Sequence, residues 1–124
     1  MRILAIETSG DHSSVALAHD GMVLAERFFP SRMSLSQTLP GHIQSVLEAE
    51  QVSEAGLDAI AVTLGPGSFT GLRVGIALAK AMAHALSLPL VGVGTHDLLA
   101  WPLLTGRPPC ICVMQHARKM DVYS

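Results

Sequence analysis

The chain has 124 residues, 49% of them hydrophobic, 4% aromatic and 15% charged, with a formal net charge of −2. That length fits one domain with a real core, and the composition excludes disorder, because low hydrophobicity and high net charge are both missing. Eight scattered Lys and Arg residues form no basic run able to neutralise several phosphates, so the chain is not expected to bind nucleic acid by itself. Cys110 and Cys112 cannot frame a disulfide scaffold, and Cys-x-Cys without a second pair is a poor zinc signature. The N-terminus meets a carboxylate at Glu7 after four apolar residues, too early for a signal peptide. No apolar run approaches the roughly 20 residues of a membrane span. These features predict a cytoplasmic protein with no metal site.

In chain order, Ile3 to Ile6 is a short continuous apolar run, the pattern of a central strand buried on both faces. Ser13 to His19 and Met22 to Phe29 read as strands joined by Asp20-Gly21, a type I′ hairpin signal that needs positive φ at both residues. Leu35, Leu39, Ile43, Val46 and Leu47 then recur with helical period to about Glu50. Pro40 must sit in the first turn of that helix or kink it. Leu57 to Leu64 returns to strand and breaks at Gly65-Pro66-Gly67-Ser68, a second helix runs from about Thr70 to Ser87, and Leu88 to Val93 is another strand. Asp97 to Leu103 holds a helical turn or two. Pro102, Pro108 and Pro109 mark a linker, after which Cys110 to Gln115 and Asp121 to Tyr123 look like strand starts. The order βββαβαβ predicts an α/β fold with a mixed sheet, since parallel strands need helical crossovers. A lobe over residues 1–105 is expected, with 106–124 forming a linker and the start of a truncated second lobe.

Two stretches could carry chemistry. Gly65-Pro66-Gly67-Ser68 leads from a strand into a helix N-terminus, where free backbone N–H groups and the positive dipole end suit an anion. It has neither P-loop nor dinucleotide-fold spacing, and its glycines serve close packing equally well. Glu7-Thr8-Ser9 places a carboxylate and hydroxyls at a strand–hairpin corner, able to position a water or a metal-bound phosphate or merely to close a turn. No histidine pair has catalytic zinc spacing and no Gly-x-Ser-x-Gly elbow occurs.

The second helix is the most informative element. Arg73, Lys80 and His84, at spacings of seven and four, form its one long polar stripe. Gly71, Gly75, Ala79 and Ala83 make one small-residue row, and Ala77, Ala81 and Ala85 another. Such rows let a sheet or a second helix approach closely. A helix apolar around most of its girth needs cover on a second face, and the four-residue row is expected to support self-association.

Ile3-Leu4-Ala5-Ile6-Glu7-Thr8-Ser9, Ser36-Gln37-Thr38-Leu39-Pro40, the block from Gly65 to Gly75 and Pro89-Leu90-Val91-Gly92-Val93 together resemble the bacterial TsaB (YeaZ) family. The resemblance runs from Met1 to Tyr123, and Ser-Phe-Thr-Gly-Leu-Arg at 68–73 separates that family from its catalytic sister, TsaD. It implies an actin-like ATPase (ribonuclease H-like) lobe and a non-catalytic scaffold role in threonylcarbamoylation of adenosine 37 in tRNA. The implied partners are TsaD and the ATPase TsaE, with a homodimer when the chain is alone. The interface expected is Leu39, Ile43 and Leu47 on the first helix with Arg73, Ala77, Lys80, Ala81 and His84 on the second. Nucleotide or phosphate candidates are Glu7, Thr8, Ser9, Gly65, Gly67 and Ser68, with ATP or ADP held only in a full complex and no cofactor by this lobe alone. No catalytic residue is implied. The sequence departs from the family pattern at Glu7, usually Asp; at Leu35, commonly His; and at His116 and Asp121, usually Asp and Glu. The rival reading of the residues is an enzyme, either a glycoprotease-like metallopeptidase or a small ATPase.

Overall fold

A computed structural model describes residues 1–31, 34–106, 110–117 and 121–124. Pro108 and Pro109 of the expected linker, and Arg118 to Met120 near the C-terminus, lie outside the described residues. Strands β1 (Arg2–Glu7), β2 (His12–His19) and β3 (Met22–Pro30) form an antiparallel meander. The β2–β3 turn has φ of 48° at Asp20 and 82° at Gly21, the pair of positive values that the hairpin signal requires. At that turn the Asp20 carboxylate receives a hydrogen bond from the N-terminal ammonium group and lies beside His19. Both contacts, the ammonium first, hold its pKa below the usual carboxylate value.

Helix α1 (Leu35–Ala49) crosses to β4 (Ala59–Gly65), and α2 (Phe69–Leu86) crosses to β5 (Leu90–Gly94). β4 lies parallel to β1, and β5 parallel to β4, giving the sheet order β3-β2-β1-β4-β5. The last strand starts at Leu90, two residues later than its apolar run, because Pro89 has no N–H to give the ladder; its carbonyl still accepts from Ile60 N–H at 3.0 Å. A short helix α3 (Thr95–Ala100) and a 3-10 stretch at Trp101–Gly106 follow. Cys110 to Met114 forms no ladder; only β6 (Gln115–His116) and β7 (Val122–Tyr123) pair, as a separate antiparallel unit.

α1 and α2 share one face of the sheet. All five residues of the α1 stripe, Leu35, Leu39, Ile43, Val46 and Leu47, are buried there against Leu4, Ile6, Val15, Leu17, Ile60 and Val62. Each such side chain contributes on the order of 1.5–3 kcal/mol by leaving water. Pro40 lies in the second turn of α1 with its ring exposed, where it removes one intrahelical hydrogen bond. The opposite face is thinner than a strand buried on both sides would require. Ala5 pairs with Ala16 and Ala61 across three strands, and six-residue α3 brings Leu98 over only part of this row. Ile3, Ala5 and Glu7 are therefore half-buried, while Leu4 and Ile6 are fully packed.

The glycine and alanine row of α2 is spent inside the molecule. Gly71, Gly75, Ala79 and Ala83 are all buried, so self-association through this row is corrected: the row is the seat of α2 on its own sheet. A Cβ on Gly71 would overlap the carbonyl oxygen of Thr8, and one on Gly75 would overlap the Thr8 hydroxyl. Gly75→Ala should consequently lower stability by about 1–3 kcal/mol through overpacking. Gly41→Ala in α1, where an added Cβ meets nothing within 4 Å, should raise it by about 0.5–1 kcal/mol through helix propensity. Urea unfolding of the two variants beside the parent chain checks both signs.

Candidate functional site

Two loops meet at the C-terminal edge of the sheet: Thr8–Asp11 after β1, and Gly65–Ser68 after β4. The Gly65–Pro66 peptide is cis, and Gly65 has a φ of 106°, which a side chain would adopt only with strain. Ser68 N–H donates to the Ser9 carbonyl at 2.7 Å, tying the loops together. Gly67 is the closest approach, since a Cβ there would overlap the Ser9 carbonyl. Ser68 is also the N-cap of α2, its Oγ accepting from Gly71 N–H at 3.2 Å.

The six phosphate candidates do not form one cluster. Ser9, Gly67 and Ser68 line a common polar cleft with Gly10, Asp11 and Phe69. Thr8, read as a phosphate candidate, is fully buried beneath α2 and does not line the cleft. Gly65 shapes the turn without lining the cleft. Glu7 lies on the other side of the sheet, beside Ala5, Ala16, Ala61 and Leu98. Its carboxylate accepts from Ser9 N–H at 2.6 Å, from the Ser9 hydroxyl and from the Thr63 hydroxyl at 3.4 Å. Glu7 closes its own turn, then, and does not face the glycine loop.

Sequence reasoning missed the far wall of the cleft, built by Gln115, His116, Ala117 and Tyr123. Its signal in the sequence was the family pattern around His116 and Asp121; local pattern reads Asp121 to Tyr123 only as a strand start. The described lining carries Asp11 and His116 but no lysine or arginine. Among the described residues, no three His, Cys, Asp or Glu side chains gather as a metal set, and no helix is long and apolar enough to cross a membrane.

The expected partner face divides. Leu39, Ile43 and Leu47 are 0–4% exposed, which corrects their placement at an interface, because the core already uses them. Arg73, Ala77, Lys80, Ala81 and His84 are all exposed on α2. Phe69 is 72% exposed, with the Arg73 guanidinium 5.3 Å above its ring, a cation–π pair. Phe69, Arg73, Val74, Ala77 and Leu78, with Ser36 from α1, line an apolar groove.

A mixed five-stranded sheet in the order 3-2-1-4-5, with its first three strands antiparallel and both crossover helices on one face, defines a ribonuclease H-like lobe of the actin-like class. RuvC from Thermus thermophilus shares that fold, with a TM-score of 0.55 at 12% identity over 81% of this chain and 68% of its own. The TsaD family, described as tRNA N6-adenosine threonylcarbamoyltransferase, matches residues 29–124. Escherichia coli TsaB, a tRNA threonylcarbamoyladenosine biosynthesis protein, is 42% identical over 95 residues, covering 77% of this chain and 41% of the relative. The tRNA N6-adenosine threonylcarbamoyltransferase of Geotalea uraniireducens is 37% identical over 109 residues, covering 75% and 32%. YeaZ from Pseudomonas aeruginosa superposes with a TM-score of 0.86 at 30% identity, over 98% of this chain and 57% of its own. The chain belongs to the TsaB (YeaZ) group of this tRNA threonylcarbamoyladenosine biosynthesis family. It spans 41% of the E. coli protein and 57% of the P. aeruginosa chain.

The Glu7 turn gives a direct test. Glu7→Ala leaves the N–H of buried Ser9 without its acceptor, and a buried donor left unpaired costs about 1–3 kcal/mol. Denaturant unfolding should show that loss.

Proposed function

We propose that the chain is a non-catalytic scaffold and activator of threonylcarbamoyl transfer to adenosine 37 of tRNA, and that it acts by pairing with the catalytic sister protein TsaD. The observation that carries this reading is the outer face of α2. It exposes a row of small residues, Ala77, Ala81 and Ala85, beside Arg73, Lys80 and His84, and ends in the exposed ring of Phe69 next to an apolar groove. Small residues admit a second helix at close range, and an exposed aromatic beside an arginine has the chemistry of an interface anchor. When the sister protein is absent, the same face is open to a second copy. The near-neutral charge supports leaving tRNA contact to the partner, and the work belongs in the cytoplasm.

Packing should dominate such an interface. Ala81→Leu should cost about 1–3 kcal/mol of partner binding by overpacking, whereas Lys80→Ala, at an exposed rim, should cost about 0–1 kcal/mol. A pull-down against TsaD, followed by reconstituted tRNA modification, reads both. Loss of the complex in Lys80→Ala with full binding by Ala81→Leu would overturn the packing account.

Nucleotide is assigned to the assembly, with TsaE as a further subunit, and not to this chain alone. The cleft at Ser9, Gly67 and Ser68 offers backbone donors, but the described lining includes a carboxylate and no lysine or arginine. Among the described residues, few charge-assisted contacts offset the lost translational and rotational freedom of a triphosphate. Calorimetric titration of the chain with ATP and with ADP should give dissociation constants weaker than micromolar. Tighter binding would contradict the assignment.

A further inference from the structure

The stretch that leads into β6 sets out its side chains in strict alternation. Cys110, Cys112 and Met114 are exposed, while Ile111, Val113 and Gln115 between them are half-buried. That is the period of an extended backbone, in which every second side chain shares a face. Three sulfur atoms therefore stand on one outward face within five residues. Cysteine and methionine are among the residue types most often buried completely, yet Met114 is 67% exposed and both cysteines are exposed free thiols. Burial of apolar surface does not explain that strip.

Metal chemistry does. Successive same-face positions of an extended chain lie about 6.7 Å apart, and Cys110 to Met114 forms no ladder, so the backbone is free to bend its sulfurs toward one ion. The ligand set then selects the metal. A structural zinc site takes four ligands, and among the described residues no three His, Cys, Asp or Glu side chains gather. Calcium and magnesium require oxygen donors. Thiolate and thioether sulfur are the ligands of cuprous copper, a soft monovalent ion that two or three of them saturate.

We propose that Cys110 and Cys112 bind one Cu(I) ion as thiolates, with the Met114 thioether as a third ligand. Binding breaks two S–H bonds and forms two Cu–S bonds. The two protons leave to solvent, because a coordinating thiol must be deprotonated, and copper keeps its oxidation state. The filled site carries one net negative charge and stays on the exposed face of its segment. It shares no residue with α2, so it does not depend on how the catalytic sister is held.

The test uses the full chain, reduced and free of oxygen, titrated with Cu(I) held by the competitor bicinchoninate. The chain should withdraw one copper per molecule and gain the near-ultraviolet absorption of a thiolate–copper bond. At about pH 6, below the range of ordinary thiols, two protons should be released per copper. Zn(II) should be held at least about a hundredfold more weakly. Cys110→Ser and Cys112→Ser change exposed side chains and should leave the circular dichroism spectrum in place. Each should weaken copper binding by more than about a hundredfold, beyond what loss of a supporting contact does, and Met114→Leu should weaken it about tenfold. A chain that takes no copper from the competitor overturns the proposal. So does copper held at full strength by either serine variant, or zinc held more tightly than copper. Unchanged binding in Met114→Leu overturns the place of the thioether in the site.

Discussion

The lobe hangs on one close contact, the seating of α2 over the end of β1. Thr8 has no exposed surface, and its carbonyl and hydroxyl occupy the places where Gly71 and Gly75 would carry side chains. A helix normally stands off a sheet by the thickness of its inward side chains. Here two turns have none, so backbone meets backbone. Ala79 and Ala83 continue the same row over the core as the helix proceeds. Dispersion falls off within fractions of an ångström, so one added methyl group forces the helix outward and loosens every contact below it.

That seating also builds the polar cleft. With α2 pressed onto Thr8, its first turn is brought to Ser9, and the Ser68 amide and Ser9 carbonyl close the gap between the two loops. Gly67 is needed at the same point because the Ser9 backbone fills the space of a side chain. Residues 67, 71 and 75 thus form one continuous glycine track, laid first on a loop and then on a helix. The inner face of α2 is consumed by this track, which leaves the outer row of Ala77, Ala81 and Ala85 as the small-residue surface open to another molecule.

Glu7 illustrates how local satisfaction removes a group from a site. A carboxylate at the end of a central strand is a natural candidate for phosphate or water chemistry. In this chain its oxygen already accepts from the Ser9 amide and hydroxyl and from Thr63. Turning this half-buried carboxylate to serve a ligand would leave the Ser9 amide unpaired. The carboxylate supports the turn that carries Ser9 into the cleft, and acts on the cleft only through that turn.

Much of this was legible in the residues. Period-2 and period-3.6 patterns located the meander and both long helices, because burial on one face imposes them directly. Asp20-Gly21 declared its turn through backbone sterics, and the five-residue stripe from Leu35 to Leu47 marked the apolar face of α1. The block from Gly65 to Gly75 marked the family. Three things were decided only by tertiary structure. Spacing shows that Leu39, Ile43 and Leu47 share a face with one another, but not whether core or partner covers it; the position of the sheet made it core. Two small-residue rows on α2 are equivalent as patterns, and only the docking of Thr8 chose Gly71 and Gly75 as the inner one. Glu7 and Ser9 are two residues apart in a single motif and hydrogen-bonded to one another, yet Ser9 lines the cleft and Glu7 does not, because their other neighbours come from a strand and a loop more than 50 residues away.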